Sequence, residues 1–395
     1  MTRQLRVVSA GVGLAGVGSP GDGERAADVF DALRTALAGG PAILVIPGTA
    51  YDNQTLDLPD TVAAPVALIV ETSGSTGTPK RVVLTADAVL ANAAASESAL
   101  GGPGQWVLAL PTHYIAGLNV LARSLAADTV PVAVSGSHFT AAAFVAAARE
   151  LTHPDRFTSL VPAQLATLLA DNTARRVLAG FRRVLVGGQA TPQALVDAAT
   201  AAGVTVTRSY GSSETSGGCV YDGQPIGTTV VKVVDDEIWL GGPSIAEGYL
   251  GDPALTAERF VEEDGVRWFR TADSGSWRDG MLTVTGRRDD VLISGGVKVA
   301  LGAVERVLRE QPEFADAVVV AAPDERWGEV PVAFTVSGAD TNAAIAAVGR
   351  ELGAASRPAR VIRVPDLPLL ASGKVDRRAL AERAREQAGP PRLAD

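Results

Sequence analysis

The chain has 395 residues, 47% apolar and 20% charged, with a formal net charge of −9 at pH 7. That length supports two or three domains with a sizeable core, and the composition excludes a disordered, collagenous or disulfide-rich chain. The acidic balance argues against nucleic acid as a partner, the single cysteine excludes an intrachain disulfide, and His113, His138 and His153 lack metal-ligand spacing.

In chain order, residues 5–9 read as a strand. The glycine-rich stretch after them offers no signal-peptide core, and no apolar run reaches the ~18–20 residues of a membrane span, so a cytoplasmic protein is expected. Residues 11–16 match G-x-G-x-x-G, but Gly18, Pro20, Gly21 and Gly23 follow where a dinucleotide fold opens a helix. A surface loop is the plainer reading. Strands at 42–46, 67–70, 105–110, 130–134, 159–161, 183–186 and 204–208 alternate with helices at 86–100, 118–126, 141–150, 163–169 and 192–202. The last helix has Thr191 as N-cap and Pro192 at its first position. This rhythm predicts an α/β fold: a large N-terminal domain of helix-covered, mainly parallel sheets. Short strands at 227–234, 237–240, 268–271 and 282–285 add a β-rich subdomain. A small C-terminal α+β domain follows, with helices at 301–310 and 341–352 and strands at 317–320 and 332–336. The expected domains are residues 1–287 and 288–395.

Of the 35 basic residues four are lysine, Lys80, Lys232, Lys298 and Lys374. Where arginine is the default cation, a retained lysine marks either chance or a need for a compact ammonium. Thr72, Ser73, Gly74, Ser75, Thr76, Gly77 and Lys80 form a loop after a core strand. Glycines let backbone N–H groups converge on an anion, hydroxyls add donors, and lysine adds charge. Thr78 and Pro79 break the Gly-Lys pair of a Walker loop. Gly187, Gly188 and Gln189 end another strand, where a flat ligand or simply a tight turn is served. Cys219 has no histidine near it in sequence and reads as a packing residue. His138 and His153 read as structural.

The loop resembles the nucleotide loop of the adenylate-forming superfamily, which holds acyl-CoA synthetases, peptide-synthetase adenylation domains and luciferases. Five further segments resemble family motifs in order: residues 110–117, 210–215, 269–273, 286–296 and 372–376. The resemblance implies ATP, Mg2+ and coenzyme A, with a small-molecule carboxylate as partner. A carboxylate is adenylated with release of pyrophosphate, then passed to a thiol. The loop residues and Lys80 would hold the β- and γ-phosphates. Glu214 would ligate Mg2+, and Thr215 would bond the α-phosphate. Asp273 would accept from the ribose hydroxyls, and Arg287 would add charge, with Arg288 as a surface cation. The usual glycine before that aspartate is Ala272, small enough to leave room. Gly187, Gly188, Gln189, Ser209, Tyr210, Gly211 and Ser212 would enclose adenine. Lys374 would be the cation of adenylation, and rotation at Asp289 would exchange it for the coenzyme A path at Ser294, Gly295, Gly296 and Lys298. Candidate acyl-pocket residues are His113, Tyr114, Asn119, Ser159, Val161, Gly188 and Ser212.

Only 71 residues precede Thr72, so the resemblance implies a shortened N-terminal region. Such compact chains resemble o-succinylbenzoate–CoA ligases of menaquinone biosynthesis in actinobacteria. Another aryl- or acyl-CoA ligase, an adenylation enzyme loading a carrier protein, and a nucleotide-binding regulator with dead chemistry are the alternatives. The resemblance also allows a homodimer.

Overall fold

The computed structural model describes residues 1–10, 22–48, 56–72, 80–136, 138–337, 340–370 and 375–387. They form two compact units. One is Met1–Thr191, Asp197–Lys232 and Trp239–Thr271; the other is Pro192–Val196, Val233–Ile238 and Ala272–Asp395.

The first unit holds two helix-covered sheets. The six-stranded sheet runs Gly248–Tyr249, Lys80–Thr85, Val66–Thr72, Ala42–Pro47, Thr2–Ala10, Thr61–Ala63. Its three central strands are parallel and its edges antiparallel. Ile43, Leu44, Val45, Leu68 and Ile69 are almost wholly buried, so successive residues on both faces leave water, as a sheet covered on two sides requires. The seven-stranded sheet places Val206–Ser212, Arg183–Val186, Arg156–Leu160, Gln105–Leu108 and Val132–Ala133 side by side and parallel. Its antiparallel strands are Gly217–Tyr221 and Gln224–Pro225.

Helix Ala86–Leu100 is locally encoded. Thr85 Oγ1 accepts from the Ala88 N–H, and Gly101 at φ +93 ends it. Helices Asp22–Leu37 and Asn172–Leu178 and strand Lys80–Thr85 are among the elements that went unread in the sequence. The strand runs straight into its helix through Thr85, so no turn residues separate the two. Helix Ile115–Ala126 begins three residues earlier than its apolar periodicity indicates.

Strand Val266–Arg278 is longer than expected and passes from the first unit into the second after Thr271. Its later half pairs with Met281–Arg287 as an antiparallel hairpin. Residues 272–287 therefore pack with the C-terminal unit, although the sequence boundary falls after Arg287.

The rest of the second unit is one sheet of Val297–Ala300, Val291–Ser294, Gly328–Thr335, Val318–Asp324 and Arg360–Arg363. Alternation divides its core. Val319 and Ala333 join Val304 and Val348 on one side, and Val318, Val320, Val332 and Phe334 join Leu380 on the other. Helices Leu301–Arg309 and Thr341–Leu352 cover the first side and Arg377–Glu386 the second. Among the described residues, no helix is long and apolar enough to cross a membrane.

Candidate functional site

Strands Val66–Thr72 and Lys80–Thr85 form a hairpin in which Thr72 faces Lys80 and Glu71 faces Arg81. Arg81 Nε donates to Glu71 Oε1 at 2.9 Å. Ser73, Gly74, Ser75, Thr76 and Gly77 lie outside the described residues, but both ends of their loop are set by strands. A strand–turn–strand differs from the strand–loop–helix of a Walker loop. Tyr249 pairs with Val82 on the edge strand. Its ring centroid lies 5.8 Å from the Lys80 ammonium, and its hydroxyl donates to Glu214 Oε1 at 2.9 Å. Burial, and then the charge of Glu214, hold the Tyr249 phenol far above its usual pKa, so it stays a donor. Tyr249 thus joins Lys80 to the candidate metal ligand. It stands outside every motif that the sequence displays.

Glu214 sits in the turn Ser213–Thr215. Its backbone carbonyl accepts from the Ala246 N–H at 2.8 Å. Thr215, expected on the α-phosphate, is fully buried. Its hydroxyl donates to the Gly217 carbonyl at 2.6 Å and accepts from the Ser212 N–H at 2.9 Å. It holds the turn instead of facing a ligand. Asn119, expected in the acyl pocket, is 3% exposed and donates to the Ser216 carbonyl at 2.8 Å. Gly217 stands at φ +102, and a Cβ there would lie 1.9 Å from Asn119 Nδ2. The close approach explains the glycine, and it makes Asn119 a brace behind Glu214.

The remaining first-unit residues collect at the carboxyl ends of parallel strands, where open α/β sheets bind ligands. Gly187 and Gly188 follow Arg183–Val186; a Cβ on Gly187 would meet the Ser209 carbonyl at 3.0 Å, and Gly188 has φ +83. The pair therefore has a backbone reason of its own. Gln189 is half-buried just beyond. The pairing of Val206–Ser212 with Gly217–Tyr221 shifts register between Tyr210 and Gly211. Val161 is buried, and its N–H donates to Gln164 Oε1 at 3.1 Å, so it starts a helix and packs. Tyr114 precedes helix Ile115–Ala126, its ring 4.1 Å from that of His113. Cys219 is buried, its thiol pushed up to about 12 by that burial, as a packing residue requires.

Among the described residues, three buried polar atoms here have no hydrogen-bond partner: His113 Nδ1, Ser159 Oγ and Ser212 Oγ. Buried polar groups are normally satisfied, so these three atoms are candidates for contact with a ligand. Burial lowers the His113 pKa to about 4. A depressed value means that the unfolded chain binds the extra proton between about pH 4 and 6.5. Stability from this group is complete above pH 6.5 and lost as pH falls towards 4, by at most about 3 kcal/mol. Replacing His113 with Asn should flatten that part of the stability curve, measured by urea unfolding from pH 7 to 4. Parallel curves for the two proteins would remove the claim.

In the second unit, Asp273 faces Arg287 across a strand pair, with Oδ1 3.5 Å from the guanidinium. Arg287 also donates to both carboxylate oxygens of Asp289, at 2.7 and 2.9 Å. That bidentate bond, foremost, raises the Arg287 pKa. Ala272 sits at φ +61, the left-handed region. A glycine is favoured there by backbone conformation, and alanine costs roughly 1 kcal/mol, so size alone was the wrong criterion. Arg288, expected as a surface cation, is exposed, and its guanidinium lies 3.4 Å from the buried carboxylate of Glu237.

Gly295 and Gly296, at φ +56 and +84, form the two-residue turn between Val291–Ser294 and Val297–Ala300. The Gly295 N–H donates to the Trp327 carbonyl at 2.9 Å. Ser294 is buried and Lys298 exposed. Lys374 lies outside the described residues, but Val375 just after it pairs with Leu369. Arg377, unremarked in the sequence, donates to Glu305 Oε2 at 2.6 Å and to the Val319 carbonyl at 2.8 Å. It also lies 3.9 Å from Asp290. The signal for it was its place three residues beyond Lys374, at the start of a helix.

The family model of AMP-binding enzymes matches residues 30–250, and that of the AMP-binding enzyme C-terminal domain matches residues 303–374. A Mycobacterium tuberculosis protein described as probable 2-succinylbenzoate–CoA ligase is 40% identical over 374 residues, covering 91% of this chain and 96% of that protein. The 2-succinylbenzoate–CoA ligase of Listeria monocytogenes is 32% identical over 375 residues, covering 90% and 78%. Among solved structures, a variant of Escherichia coli MenE with bound OSB-AMS matches with a TM-score of 0.73 and 26% identity, covering 97% of this chain and 89% of that one.

Proposed function

From the premise that this chain belongs to the AMP-binding enzyme family and is an adenylate-forming acid–CoA ligase, we propose that its acid is 2-succinylbenzoate. The carboxylate oxygen attacks the α-phosphorus of ATP and expels pyrophosphate. The thiol of coenzyme A then attacks the acyl carbonyl and expels AMP. The observation that carries the choice of acid is the likeness, over nine-tenths of the chain, to relatives described by that reaction.

The residues of the first unit supply chemistry for it. A keto-dicarboxylate on an aromatic ring wants an apolar wall and several donors. Val161 is buried near the strand end that bears Ser159, and among the described residues Ser159 Oγ, His113 Nδ1 and Ser212 Oγ are without a hydrogen-bond partner. A neutral imidazole suits such a site, since it gives or takes a hydrogen bond without adding charge. Lys80 would neutralise the outgoing phosphates. Glu214, whose Oε1 already accepts from the Tyr249 hydroxyl, would hold Mg2+ through one carboxylate, a donor that suits this cation when phosphate oxygens and water would supply the rest. When bound, it screens the charge between carboxylate and triphosphate. In this reading the chain turns at Asp289, so that Lys374 serves adenylation and residues 294–298 serve thiol transfer. The reading extends to a cytoplasmic enzyme, where ATP and coenzyme A are held, and to a homodimer.

The test is a substrate screen scored by pyrophosphate and AMP release with ATP, Mg2+ and coenzyme A. Turnover with 2-succinylbenzoate is expected. Turnover with benzoates or fatty acids alone replaces the acid, and a requirement for a carrier protein replaces the thiol.

A further inference from the structure

Strand Glu237–Gly241 begins with a carboxylate that is 4% exposed. Burying a charge is costly unless it is paired and hydrogen-bonded, so its partners say what it is for. Glu237 Oε1 accepts from the Ala272 N–H at 3.2 Å, and Oε2 lies 3.4 Å from the Arg288 guanidinium. The backbone N–H of Arg288 donates to the Ala272 carbonyl at 2.8 Å. Both peptide groups around Ala272 are therefore pinned, one by the Glu237 carboxylate and one by the Arg288 backbone. The residue between them holds φ +61, a conformation that a side chain resists and that glycine adopts freely. Asp273 comes next, and its direction depends on the backbone at Ala272.

We propose that Glu237 is a positioning residue for the nucleotide: it holds Ala272 left-handed and thereby aims the Asp273 carboxylate at the ribose hydroxyls. The proposal rests on the reading of Asp273 as the ribose acceptor. It accounts for three features together: a buried acid, a non-glycine residue at positive φ, and an exposed arginine whose guanidinium reaches the same acid. A glycine at 272 would need no such brace.

The test measures kcat/KM for ATP and for 2′-deoxy-ATP in the full-length enzyme, with Glu237→Leu, Glu237→Gln, Glu237→Leu combined with Ala272→Gly, and Asp273→Asn. Loss of the brace should raise KM for ATP about tenfold, the scale of one charged hydrogen bond, with KM for the acid unchanged. The preference for ATP over 2′-deoxy-ATP should collapse in Glu237→Leu to that of Asp273→Asn. Glu237→Gln keeps an acceptor and should retain most of it. Adding Ala272→Gly should restore it, which a general gain in stability does not do to a substrate ratio. A Glu237→Leu enzyme with full preference, beside an Asp273→Asn enzyme without it, overturns the proposal. Full preference in Asp273→Asn overturns the reading of Asp273 instead. Should Glu237→Leu fail to fold, the double variant decides: restored preference supports the brace, and misfolding or lost preference overturns it.

Discussion

Replacing Lys374 with alanine should lower acid-dependent pyrophosphate release by about 10²–10³-fold, the scale of removing one preorganised charge from a transition state. Negative charge gathers on the α-phosphate oxygens as the acid's carboxylate approaches, and a compact ammonium offsets it with little reorganisation. The fold should survive, because the chain on either side is anchored without this lysine. Val375 pairs with Leu369, Asp376 caps helix Arg377–Glu386 by accepting from the Ala379 N–H, and Arg377 is tied to Glu305. Nucleotide binding and the unfolding temperature should therefore match the parent. Thiol transfer from a preformed acyl-adenylate should also proceed at the parent rate, which separates a role in the first half-reaction from general damage. An undiminished rate of pyrophosphate release from the acid and ATP would sink the assignment.

Exchanging Glu214 for Gln should cut adenylation about 100-fold and raise the Mg2+ concentration that gives half the maximal rate, since phosphoryl chemistry leans on the cation for charge. The amide can still accept from the Tyr249 hydroxyl, which now bonds the carboxylate at 2.9 Å. Asn119 and Thr215 hold the turn by its backbone, so its shape should persist. The change is then in charge more than in geometry. A Mg2+ titration of pyrophosphate release checks this, and an unshifted midpoint removes Glu214 from the metal. Tyr249→Phe is the companion variant: it frees the carboxylate but keeps its charge, so it should shift the midpoint far less than Glu214→Gln.

Asn119 and Thr215 show where residue chemistry misleads. Both are polar, both lie in or just beyond a motif segment, and both read as ligand contacts. Their neighbours decide otherwise, because Ser216 and Gly217 offer carbonyls that a buried amide and hydroxyl satisfy first. Ser159 and Ser212 are no different in kind, yet their hydroxyls are left unpartnered. No local pattern distinguishes a serine that will find a backbone partner from one that will not.

Ala272 teaches the same lesson through the backbone. Its departure from the family glycine is plain in the sequence, but the cost of that departure is a dihedral angle, and its brace stands 35 residues away at Glu237.

What the amino-acid order determined by itself was whatever rests on neighbours along the chain. Helices 86–100 and 341–352 and strand 183–186 have the limits that periodicity and capping residues assign them. The order of six motifs likewise carried the family and its reaction. Tertiary structure alone decided which motif residues are engaged in holding the fold, brought Tyr249 to Glu214, and buried Glu237 against Ala272. The physical reason is the range of the forces involved. Capping and periodicity act within a turn or two of chain. The pairing of a buried polar atom depends on what packing delivers to it from dozens of residues away.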